Sequence, residues 1–99
     1  MKELKLVLKK KWYDMIASGE KKEEYREMNN YWFDRIAEDV VLPFFSERRC
    51  GTVTFYLGYA KDRPSMSFKI ESITIGKGKT EWGAEPGIDY FVIKLGERI

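Results

Sequence analysis

The segment "SMSFKIESITIGKGK" (65–79) constrains this chain more than any other. Met66, Phe68 and Ile70 keep one phase of a two-residue period, and Ile73 and Ile75 keep the other. A period of two marks a strand, because successive side chains point to opposite faces of a sheet. A strand that stays apolar through a change of phase needs a bulge or a sharp bend, here near Glu71 and Ser72. It predicts a sheet that curls.

Other segments supply the partners. Leu4, Leu6 and Leu8 alternate in "LKLVLK", and Val53, Phe55, Leu57 and Tyr59 are expected to face inward in "TVTFYLGY". "KDRP" reads as a turn, and Phe91, Ile93 and Leu95 stay in phase in the closing "DYFVIKLGERI". In "KKWYDMIAS" the period changes: Trp12, Met15 and Ile16 share a face of a short helix, and Gly19 sits where a helix is left with positive φ. A second helix is expected in "NNYWFDRIAEDVVLPF", capped by Asn29 or Asn30, apolar at Trp32, Phe33 and Ile36, and ended by Pro43. "SERRCG" and "EWGAEPG" read as loops. The expectation is an α+β chain: a small curled sheet or barrel of five to six strands, with two short helices at its rim. Its 99 residues make one domain over 1–99, and 43% hydrophobic residues suffice for a core.

Composition also narrows the chemistry. Histidine is absent, which removes Ser-His-Asp and Cys-His nucleophile systems, paired-histidine ribonuclease chemistry and histidine metal sites. No metal and no cofactor is expected. Cys50 is the sole cysteine, so no internal disulfide forms, which fits a reducing compartment. Without a histidine partner that thiol reads as a small apolar residue. Neither a signal peptide nor a membrane span is evident, and a soluble, cytoplasmic chain with no membrane partner is expected. "GKGKT" (76–80) is not a phosphate loop, because the glycine required five residues before Gly78 is Ile73. Trp12 and Trp32 are expected in the core; Trp82, in a glycine-rich loop, either lies over a pocket or plugs the barrel end.

The stretch from Glu20 to Glu27, "EKKEEYRE", holds seven charges in eight residues. Read as an extended strand, it puts Glu24 and Arg26 on one face and Tyr25 on the other. Such a run can be a solvated edge strand, its charges discouraging edge-to-edge pairing. Its order, however, is Gly19-x-Lys21-x-x-Glu24-x-Arg26. Glu24 can orient the Arg26 guanidinium two residues away, while Lys21 must turn in from the loop. A Lys and an Arg converging on one cleft make a phosphate or polar-base site, and Glu24 can accept from an amine or a ribose hydroxyl.

This pattern resembles the ASCH family signature G-x-K-x-x-E-x-R at every fixed position. The resemblance implies a PUA-like curled β-barrel and a module that binds RNA, single-stranded nucleic acid, a nucleotide or a nucleoside. Gly19, Lys21, Glu24 and Arg26 would then line the cleft, with Tyr31 or Trp82 stacking. One branch similar to this family hydrolyses N4-acetylcytidine without a metal, using the signature Lys, a Thr where this chain has Glu24, and a later Glu. The matching catalytic residues here would be Lys21 and Glu71, with Glu24 beside them; Glu24 would favour a protonated Lys21 over the neutral amine such chemistry needs. A ribonuclease is a further family activity, and an adaptor surface at Tyr31, Trp32 and Arg35 is a third class.

Overall fold

The structure is a computed structural model that describes residues 3–36 and 51–99. Strand β1 (Glu3–Leu8) leads into helix α1 (Lys10–Ala17), strand β2 (Glu23–Glu27) and helix α2 (Asn30–Ile36). Strands β3 (Thr52–Leu57), β4 (Ser65–Lys77) and β5 (Asp89–Arg98) follow, with a single 3₁₀ turn at Thr80–Trp82 between the last two. The strands form one sheet in the order β1-β3-β4-β5-β2. β1 runs parallel to β3, and the other neighbours are antiparallel. The result is a small α+β domain whose five-stranded sheet curls as a half-barrel.

The curl has the origin that the phase change predicts. β4 pairs with β3 through Ser65–Lys69 and with β5 from Phe68 to Lys77. Between Ile70 and Ser72 its register against β5 shifts, leaving Glu71 as the extra residue. A compensating shift lies between Phe68 and Ile70, where β5 carries Gly96 and Glu97 between the partners Leu95 and Arg98. Bulges on both strands sharpen the local twist and bend the pair. A side chain at position 96 would bring its Cβ within 3.2 Å of the Lys69 carbonyl, so glycine suits the tight side of this bend.

The main core is made by Leu4, Leu6 and Leu8 of β1, Tyr13 and Ile16 of α1, Ile36, and the inward residues of β3, β4 and β5. A smaller cluster of Tyr25, Ala84 and Val92, with Trp82 and Tyr90 packed on it, covers the other side of β2 and β5. β2 is therefore buried on both faces: Glu24 is 5% exposed and Tyr25 7%.

Some expectations change. Tyr59 does not face inward but is 84% exposed, because β3 ends at Leu57 and Gly58 turns the chain with φ +69°. Phe33 and Ile75 are exposed rather than core residues. Asn29 is the cap of α2, its side-chain oxygen accepting the Trp32 N–H at 3.0 Å. Pro43, Cys50 and, apart from Gly51, the "SERRCG" stretch lie outside the described residues. Among the described residues no helix is long and apolar enough to cross a membrane, and no cluster of His, Cys, Asp and Glu is arranged to hold a metal ion.

Candidate functional site

β1 and β2 are consecutive in the chain yet lie at opposite edges of the sheet. Helix α1 carries the chain from one edge to the other, and the space between these edges is a cleft of about 450 Å³. Val7, Leu8 and Lys9 line it from the β1 side, and Glu24, Tyr25, Arg26 and Glu27 from β2. Trp12, Trp32, Trp82, Gly83 and Tyr90 complete its walls.

The edge of β2 is closed by its own side chains. Tyr25 N–H donates to Glu24 Oε1 at 2.8 Å, and Arg26 Nη1 donates to the Tyr25 carbonyl at 2.8 Å. Both polar groups of the Tyr25 peptide are thus satisfied without another strand. Glu24 Oε1 also lies 3.4 Å from Lys21 Nζ and 3.7 Å from Arg26 Nη1. Glu24 Oε2 is buried, and among the described residues it has no hydrogen-bond partner.

Lys21 sits behind this wall. Gly19, at φ +87°, ends α1, and Lys21 N–H returns to the Met15 carbonyl at 2.9 Å. The side chain then runs inward until the residue is 1% exposed. Its Nζ donates to the Trp82 carbonyl at 2.6 Å and lies 5.3 Å from the Trp12 ring centre and 4.8 Å from that of Tyr25. Burial pushes the Lys21 ammonium below its ordinary lysine value, against the opposing pull of the Glu24 carboxylate. Tyr25 joins the wall to the loop after β4: its phenol accepts the Lys79 N–H at 3.0 Å and donates to Glu23 Oε1 at 2.8 Å.

Of the residues singled out by the sequence, Glu24, Arg26 and Trp82 line the cleft, and Lys21 touches two of its walls from within. Gly19 shapes the approach of Lys21 and is not itself a wall residue. Tyr31 is 55% exposed and stacks edge-on against Trp32, 4.8 Å between ring centres, with the Arg35 guanidinium 3.5 Å from its own ring centre. It lies outside the cleft lining; Trp32 takes the place expected for it.

Glu71 is the clearest correction. As the extra residue of the β4 bulge it turns outward, its side chain 46% exposed and 3.7 Å from Lys94 Nζ. It does not meet Lys21. Trp12 and Trp32 also differ from expectation, being half-buried walls of the cleft rather than fully buried core residues. Their amphipathic helix positions signalled only that they point toward the sheet, and at the open seam that direction leads into the cleft.

A comparison of the chain with family models, curated proteins and solved structures finds no match in any of the three.

Proposed function

We propose that the cleft binds a nucleotide or a short stretch of single-stranded RNA, the chain acting as an ASCH-type module of PUA-like fold. The observation that carries this reading is the convergence of three indoles, Trp12, Trp32 and Trp82, on one cleft that also holds Glu24 and Arg26. Flat aromatic walls suit a flat base, and such stacking contributes roughly 1–3 kcal/mol per base. The cleft's volume of about 450 Å³ is of the order of known small-molecule sites. Lys9 lines it, while the ammonium groups of Lys11 and Lys79 lie 4.7 Å and 4.4 Å from the ring centres of Trp12 and Trp82. Among the described residues none of these three lysines has a carboxylate partner, which leaves them able to meet phosphate.

Titration of tryptophan emission with nucleoside monophosphates and short single-stranded RNAs tests the proposal. Saturable quenching that weakens in Trp32→Ala is expected. An unchanged emission spectrum, together with no retention of any RNA, would end this reading.

Hydrolysis is the second reading, favoured by the lowered Lys21 ammonium, since a neutral amine is the form that acts as base or nucleophile. The Lys21 side chain is fully buried, its head group is held by Trp82 and Glu24, and Glu71 stands elsewhere. Binding therefore ranks above turnover.

A further inference from the structure

Glu24 is a carboxylate of the cleft that, among the described residues, keeps one oxygen buried without a donor. Oε1 accepts the Tyr25 N–H and faces both Lys21 and Arg26. Oε2 has less than 1 Å² of exposed surface and, among the described residues, no donor. An acceptor buried without a donor is unfavourable by about 1–3 kcal/mol, and by more when it carries charge. Supplying a donor to this atom is therefore worth more than a hydrogen bond made at the surface.

Resting on the nucleotide-binding reading above, we infer that the cleft selects bases bearing an exocyclic amine, with Glu24 as the acceptor that reads it. Glu24 belongs to the cleft lining together with the indoles of Trp12, Trp32 and Trp82. The terminal torsion of a glutamate side chain is soft, so the carboxylate can turn to meet a donor arriving through the cleft. The indole walls favour the flat base over the puckered sugar, and the phosphate then lies toward Lys9, Lys11 and Lys79. An amine on the ring edge presents N–H groups directly to Oε2. Uracil presents its N3–H between two carbonyl oxygens, which face the carboxylate unfavourably. A site built around a buried acceptor rejects a ligand that cannot satisfy it far more strongly than a merely apolar site would.

Calorimetric titration of the wild-type chain with matched pairs tests this directly. CMP against UMP and AMP against IMP each exchange an amine for a carbonyl on an unchanged ring frame. A preference of about tenfold or more for CMP and AMP is expected, the size of one charge-assisted hydrogen bond. Glu24→Gln, which can donate as well as accept, should bring the CMP/UMP ratio close to one. Because that variant removes a buried charge, N4,N4-dimethyl-CMP provides a test on the wild-type protein alone. It keeps the ring and lacks both donors, and it should bind no better than UMP. Equal binding within each pair, undiminished binding of the dimethyl analogue, or a loss seen only with dCMP would overturn the inference. The last result would assign the donor to the ribose hydroxyl. In all three cases nucleotide binding itself would stand, whereas failure of every nucleotide to bind would overturn both.

Discussion

Lys21 Nζ donates a 2.6 Å hydrogen bond to the carbonyl oxygen of Trp82, 61 residues away in the chain. That bond fastens the 3₁₀ turn after β4 to the segment leaving α1. The same ammonium lies 3.4 Å from Glu24 Oε1, so one buried cation joins the loop wall of the cleft to its strand wall. Lys21 in this geometry positions Trp82 and Glu24, and would act on the proposed ligand only through them.

Lys21→Met should therefore destabilise the domain by about 3–5 kcal/mol, the range for breaking a buried ion pair from one side. The apolar replacement fills similar volume but leaves the Trp82 carbonyl without its donor. Urea denaturation followed by circular dichroism measures the loss. A change below about 1 kcal/mol would show that the pair is no more than a surface contact.

The bend in β4 was legible because hydrophobic phase is a local property, and a change of phase has few structural solutions. The capping of α1 by Gly19 was legible for the same reason. The fate of Lys21 was not, since its partner comes from a loop brought in only by tertiary closure. Nor does a charge run reveal an edge strand covered on both faces: Glu24 pairs across to Ile93 of the main core, and Tyr25 to Val92 of the second cluster. The phase change marked Glu71 correctly as a bulge residue, but a bulge re-aims a side chain, and this one is aimed at Lys94.

Two glycines of the same stretch should respond with opposite sign. A Cβ at Gly78 would lie 2.6 Å from Ala84 Cβ and 2.7 Å from the Tyr25 ring, whereas at Gly76 nothing lies within 4 Å. Gly78→Ala should cost about 1–3 kcal/mol as an overpacked contact and displace Tyr25. Gly76→Ala, inside a strand, should stabilise by about 0.5 kcal/mol through the lower entropy of the unfolded chain. Thermal melting of the two variants side by side checks the contrast.

A second glycine pair separates strain from packing. Gly19 and Gly83 have φ of +87° and +102°, but only Gly83 is crowded, with Trp12 Cζ2 3.0 Å from where a Cβ would stand. Gly19→Ala should cost about 1–2 kcal/mol, the penalty of the left-handed region alone. Gly83→Ala should cost more and also shift the Trp12 indole, altering tryptophan emission while Gly19→Ala leaves it unchanged.

Alkaline pH should expose the two buried groups in opposite directions. Burial is the largest influence on both, lowering the Lys21 ammonium from its ordinary 10.5 and raising the Tyr25 phenol from its ordinary 10.0, with the Glu23 carboxylate adding to the latter. Below 10.5 the unfolded chain holds the Lys21 proton more firmly than the folded one, so this group's contribution to stability rises with pH up to that value. The neutral Tyr25 phenol contributes fully below pH 10.0; above it the unfolded chain ionises first, and the contribution is lost as pH climbs toward the folded value. Tyr25→Phe should have lower stability at neutral pH, having lost the hydrogen bonds to Glu23 and Lys79, but a shallower decline above about pH 10. Urea denaturation across that range, with tyrosinate absorbance recorded on the same samples, checks the slope. Parallel curves for the two proteins would show that the Tyr25 phenol ionises in the folded chain as readily as an exposed one.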